Sequence, residues 1–173
     1  MANLVILTAD ELMALGSLQR QAARRTARQQ PLVRLILQAF LQRGGPIPAE
    51  DIIRASRGTQ AEGTHEALAA LDDDDIIRLR AGEIDIAYPF SAVRTPFRVR
   101  FSGGRERYAC CATDALGMAP MIGASVEIGS SCHHCGIPLQ FAATPRGVGA
   151  GAEGVMVWFG KRADDGCKAT DSL

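Results

Sequence analysis

Tyr108–Cys135, YACCATDALGMAPMIGASVEIGSSCHHC, is the stretch on which the reading of this chain turns. It holds four of the five cysteines and two of the three histidines. The run Ala115-Leu-Gly-Met-Ala119 predicts a short apolar helix, which Pro120 should disturb and Gly123 should close. Residues i and i+3 are neighbours on a helix, so the Cys111 thiol and the Asp114 carboxylate should lie side by side. A helix starting near Cys111 would turn its free N–H groups and dipole toward the sulfur. That arrangement predicts a thiol pKa below the value of about 8.5 for a free cysteine. Such a pair joins a soft nucleophile to a proton carrier. Taken alone, C-x-x-D is more simply a small buried residue followed by an ordinary first-turn Asp.

The wider pattern is more specific. Tyr108, Cys111 and Asp114 are followed by an apolar stretch ending Pro120-Met-Ile-Gly123. Alternating Ala124-Ser-Val-Glu-Ile128 comes next, then Ser130-Ser-Cys132 and Gly136-Ile-Pro138. In order and in most of its spacing this resembles the organomercurial (alkylmercury) lyase family. By matching position, the resemblance implies that Cys111 is the catalytic cysteine, Asp114 the proton donor and Cys132 a largely structural cysteine. Cys110 falls where the family often has an aromatic residue. The implied reaction is protonolysis of a carbon–mercury bond to a hydrocarbon and mercury(II), in mercury detoxification. Its substrate is a small organomercurial, no cofactor or resident metal is implied, and the product passes to mercuric reductase or to small thiols.

The chemistry suits those residue types. Thiolates are the softest ligands a protein offers a metal. A carboxylic acid beside the metal can protonate the leaving carbon. Family members grip mercury with a second cysteine beyond the last strand. Here only Cys167 lies on that side, and its surroundings, Asp165-Gly-Cys-Lys-Ala-Thr170, do not match the family motif. The eight residues from Phe159 to Cys167 can span at most about 26–29 Å, so Cys167 is expected to reach Cys111 as second mercury ligand, with Cys110 the alternative. A shortened C-terminal segment predicts weakened activity. A different reading uses Cys132-His-His-Cys135, which has zinc-knuckle spacing and could complete a tetrahedral site with Cys110 or Cys111. The chain would then be a zinc-binding or metal-responsive winged-helix regulator without enzymatic activity. More simply, His133 and His134 are exposed loop residues.

Composition narrows the classes. At 173 residues the chain can bury a core of one or two small domains. Lys plus Arg and Asp plus Glu both number 19, which removes the electrostatic case for nucleic acid or an anionic membrane. No apolar run approaches the roughly 20 residues that span a bilayer. Leu4-Val-Ile-Leu7 is too short for a signal-peptide core. Working thiols rather than a disulfide framework point to the cytoplasm.

In chain order, Thr8-Ala-Asp-Glu11 is a capping box opening an N-terminal helix over residues 1–30. Residues 31–90 read as a winged-helix-like unit. Leu32, Leu35, Ile36, Ala39 and Phe40 share one helix face that Gly44-Gly45 ends, and Ala49–Ala55 makes a second helix. A capping box at Thr59–Glu62 opens a third through Leu71, with Ala61, Leu68 and Leu71 inward. Ile76–Leu79 and Ile84–Ile86 flank Ala81-Gly82 as a hairpin. The third helix offers Gln60, Glu62, His65 and Glu66, with no Arg or Lys for phosphate, so a structural role is preferred to DNA binding. Tyr88–Ser91 and Thr95-Pro96 read as a crossing segment. Residues 91–173 form the lyase-like region. Phe97–Phe101 and Arg105–Cys110 make a hairpin, Val126–Ile128 and Leu139–Phe141 make strands, and Val155–Phe159 makes a last strand. The expected fold is α+β, with a helical winged-helix-like N-terminal region, a mixed and mostly antiparallel β region, and a short catalytic helix.

Overall fold

The computed structural model describes residues 30–56 and 63–158, together with residues 7–8, 10–11, 14 and 168. Most of the expected N-terminal helix, the Thr59–Glu62 capping box with Ala61, and Cys167 lie outside the described residues. The capping box at Thr8 is formed. The Thr8 N–H donates to Glu11 Oε2 at 2.7 Å, and the Glu11 N–H donates to Thr8 Oγ1 at 3.2 Å.

Helix α1 (Gln30–Arg43) buries Leu32, Ile36 and Phe40, a four-residue repeat that lays one stripe against the core. Its C-terminal carbonyls are satisfied from far along the chain. Arg107 Nε donates to the Phe40 carbonyl at 2.7 Å, and Nη2 donates to those of Leu41 and Gln42 at 2.7 and 2.9 Å. A cation over the negative end of the helix dipole is the favourable charge arrangement. Gly44 follows at φ +63°, and a Cβ there would stand 2.9 Å from Arg107 Cζ. Glycine is required twice over at this position.

Strand β1 (Ile47–Pro48), α2 (Ala49–Ser56) and α3 (Thr64–Asp73) complete the helical part. Helix α3 starts at Thr64 after Gly63, whose φ is +87°. Its first residue is tied to the preceding helix by a Ser56 Oγ–Thr64 Oγ1 hydrogen bond of 3.2 Å. The hairpin β2 (Ile77–Arg80) and β3 (Glu83–Ala87) turns through Ala81 and Gly82, both at positive φ as a type I′ loop requires. Arg78 and Asp85 bridge its strands in a bidentate pair of 2.7 and 2.9 Å.

The crossing segment is more than a linker. Phe90 and Ser91 form β4, pairing with β3 on one side and β6 on the other. Through it the sheet runs as β1-β3-β4-β6-β5-β7-β8-β9, with β2 beside β3. The later strands are β5 (Arg98–Phe101), β6 (Glu106–Ala109), β7 (Val126–Ser131), β8 (Pro138–Thr144) and β9 (Gly147–Val148), all antiparallel to their neighbours. One hydrophobic core unites both parts: Ile36, Phe40, Leu68 and Leu71 share it with Phe90, Val99, Met118 and Ile128. Phe40 of α1 stacks on Phe90 of β4, with ring centroids 6.0 Å apart. This is an α+β fold with a largely antiparallel sheet.

Two local expectations change. Helix α4 runs from Ala112 to Ile122 with Pro120 inside it. Pro120 forgoes one N–H bond to the preceding turn, but it stands three residues from Gly123, which closes the helix at φ +68°, so the disturbance is confined to the last turn. Residues 155–158 form no strand, and Met156 and Trp158 are exposed, so the apolar alternation there has no sheet partner. No described helix is long and apolar enough to cross a membrane.

Candidate active site

Strand β6 delivers the chain into α4 through a set of fixed contacts. Thr95 Oγ1 donates to the Ala109 carbonyl at 2.6 Å, and the Ala109 N–H donates to the Phe97 carbonyl at 2.9 Å. Cys110 is held by β4 and the residue before it. Its N–H donates to the Pro89 carbonyl at 3.0 Å and its thiol to the Phe90 carbonyl at 3.2 Å. Cys110 therefore points into the core, 4% exposed. Its neighbour Cys111 is extended, with φ −151° and ψ 179°, and occupies the N-cap of α4. Ala115, Met118 and Ala119 bury the inner face of that helix at i, i+3 and i+4 spacing, which fixes the first turn on the sheet.

Cys111 and Asp114 meet as their spacing predicts. Cys111 Sγ donates to Asp114 Oδ2 at 2.9 Å, and Thr113 Oγ1 stands 2.9 Å from the same sulfur. The expected depression of the thiol pKa is reversed. Burial pushes the Cys111 pKa up, and the Asp114 charge and hydrogen bond push the same way. The Thr113 hydroxyl and the Asp114 backbone N–H favour the thiolate but do not prevail. The pair at rest is a neutral thiol donating to a carboxylate oxygen, with the helix dipole outweighed by desolvation and a near negative charge.

Residues 90–173 match the family model described as alkylmercury lyase. A curated alkylmercury lyase of Staphylococcus epidermidis is 32% identical over 106 residues, covering 61% of this chain and 47% of that protein. Over residues 90–173 the chain is similar to the alkylmercury lyase family. The chain spans about half the length of that curated relative. A solved structure, the mercury-bound form of MerB2, matches with a TM-score of 0.62 at 17% identity, over 79% of this chain and 66% of that one, and agrees in fold.

Two further described thiols share one turn of the matched region. Cys132 and Cys135 occupy the turn between β7 and β8, Cys132 half-buried and Cys135 exposed. The backbone N–H groups of Cys135 and His134, then the Cys135 thiol, hold the Cys132 pKa below the ordinary thiol range. His133 and His134 are exposed, as expected of loop residues. Among the described residues no three His, Cys, Asp or Glu side chains come together as a metal site, so the tetrahedral arrangement of the zinc reading does not assemble there. Cys110 is turned into the core, away from the partner role considered for it. Lys168 Nζ reaches Asp72 Oδ2 of α3 at 2.6 Å.

Sequence reasoning passed over Thr113. The signal was its place between Cys111 and Asp114 in the first turn. A hydroxyl there can turn back to the N-cap side chain.

Proposed function

We propose that this chain cleaves the carbon–mercury bond of small organomercurials by protonolysis, releasing a hydrocarbon and leaving mercury(II) on protein thiols. The observation that supports this reading best is the 2.9 Å hydrogen bond from Cys111 Sγ to Asp114 Oδ2 at the start of α4. A neutral thiol already aimed at a carboxylate has a defined route for its proton. When mercury bonds to Cys111 sulfur, that proton passes to Asp114. Asp114 then gives it to the carbon as the carbon–mercury bond breaks, so the electron pair of that bond becomes the new C–H bond and the carboxylate is restored. Each thiolate bound to mercury raises electron density on the metal and weakens its bond to carbon.

In this reading Cys167 is the second mercury ligand, Cys132 maintains its turn, and residues 1–30 and 31–90 support the lyase region over 91–173. The product is handed to small thiols or mercuric reductase, in the cytoplasm, as part of detoxification. The experiment is headspace detection of benzene from phenylmercury acetate in the presence of a small thiol. Wild type releases benzene and Cys111→Ser does not. Benzene release by Cys111→Ser at the wild-type rate rejects the assignment. Sulfur coordination of bound mercury by X-ray absorption, in wild type and Cys167→Ser, tests the second ligand: two sulfurs should fall to one.

A further inference from the structure

Cys132 and Cys135 share the turn between β7 and β8, and among the described residues they do not cluster with Cys111 and Asp114. The Cys132 N–H donates to the Ile137 carbonyl and the Gly136 N–H donates to the Cys132 carbonyl, each at 2.9 Å. Gly136 takes φ +73°, a conformation that costs a residue with a Cβ about 1–2 kcal/mol. The Gly136 bond closes a single turn of chain over residues 132–136, which brings positions 132 and 135 to neighbouring places on it. Donors from the His134 and Cys135 backbone and the Cys135 thiol also lower the Cys132 pKa, in the direction of the thiolate that binds metals.

Neither cysteine is part of the hydrophobic core, and the turn opens to solvent. The donor count then selects the ligand. A structural zinc takes four protein ligands, whereas no third His, Cys, Asp or Glu joins this pair among the described residues. Two soft donors suit a soft cation that is satisfied by two-coordinate, near-linear binding.

We propose that Cys132 and Cys135 form a two-thiolate site for a soft two-coordinate cation, separate from Cys111, with inorganic mercury(II) as its ligand. Binding converts two S–H bonds to two S–Hg bonds and releases two protons, with no change of oxidation state. An exposed site of this kind leaves the ion open to attack by an incoming thiol, which suits exchange more than storage. The site needs only the inorganic ion, so it stands or falls independently of carbon–mercury cleavage.

The test uses the full chain, reduced and freed of reductant, with two equivalents of mercury(II) chloride and a small competing monothiol. A short iodoacetamide pulse followed by peptide mass spectrometry reads each cysteine. Labelling at Cys132 and Cys135 should be lost together, and lost equally in Cys111→Ser. Labelling of either cysteine at the metal-free rate overturns the proposal. Protection that disappears in Cys111→Ser also overturns it, because the ion then bridges the two sites. Protection confined to a species of doubled mass in gel filtration overturns it too, since two copies then share the ion. Because labelling is read on the wild-type chain, the result does not depend on how well a Cys132 variant folds.

Discussion

Cys111 Sγ donates to Asp114 Oδ2 across 2.9 Å, and the carboxylate that receives this bond also raises the thiol's pKa. In the reaction we propose, Asp114 has opposite effects on two steps: it holds back thiolate formation and supplies the place for the proton. In Asp114→Asn the charge is gone, so the Cys111 pKa should fall and iodoacetamide should label Cys111 at lower pH than in wild type. Mercury should still bind, while hydrocarbon release drops by roughly 10²–10⁴-fold, the usual worth of a positioned proton carrier. An unchanged pH profile of labelling would break the link between the two residues.

Thr113 acts on the same sulfur in the other direction. Its hydroxyl, 2.9 Å from Cys111 Sγ, lowers the pKa that burial and Asp114 raise. Thr113→Val should move the labelling profile of Cys111 to higher pH, and Thr113→Ser should return it. The residue is exposed, so the melting temperature should change little. Equal profiles for the Val and Ser variants would assign Thr113 no part in setting the thiol.

The thiols differ enough to be ranked by one experiment. At neutral pH, Cys132 and Cys135 should label first, since the turn is open and its donors favour thiolate at Cys132. Cys111 should follow slowly, its pKa raised. Cys110 should label last, and only as the protein unfolds, because it is buried and bonded to the Phe90 carbonyl. Early labelling of Cys110 would contradict the packing of β4.

Arg107 and Gly44 form one joint, so their substitutions should not add. Arg107→Ala removes the donors to three carbonyls at the end of α1 and should cost about 1–3 kcal/mol in denaturant unfolding. Gly44→Ala incurs a left-handed φ penalty of about 1–2 kcal/mol and also displaces the guanidinium. Once Arg107 is absent that displacement costs nothing, so the double variant should lose less than the two single losses combined. Strict additivity would mean the contact carries no energy.

The Arg78–Asp85 pair gives a separate check on the hairpin. Arg78 is 8% exposed, so Asp85→Ala removes its bidentate carboxylate in a desolvated setting and should cost up to about 3–5 kcal/mol. A loss below about 1 kcal/mol, the range of surface pairs, would show that water reaches the guanidinium.

Local chemistry was legible wherever the deciding atoms were near in sequence. Cys111 with Asp114, Gly123 as the end of α4, Ala81-Gly82 as a hairpin loop and the stripe Leu32-Ile36-Phe40 all depend on spacings of a few residues. What escaped depends on distant partners. Phe90-Ser91 is too short to show a strand pattern and becomes one only because β3 and β6 flank it. Arg107 reads as an ordinary strand residue until α1 brings its last carbonyls there. The Cys111 pKa was misjudged because spacing reveals the helix dipole and the near carboxylate, but not how deeply the sulfur is buried.

The two-residue strand β4 has a bearing on how binding at Cys111 could be seen elsewhere. Phe90 pairs with Ala109, accepts the Cys110 thiol and stacks on Phe40, so the residue beside Cys111 hangs from the seam between the helical region and the rest of the sheet. Local opening at that seam would loosen the backbone leading into α4, so a clamp on Cys111 and Asp114 should oppose it. Deuterium uptake at the amides of Phe90 and Cys110 should therefore slow when mercury occupies Cys111. That gives a readout of occupancy on main-chain groups that never touch the metal.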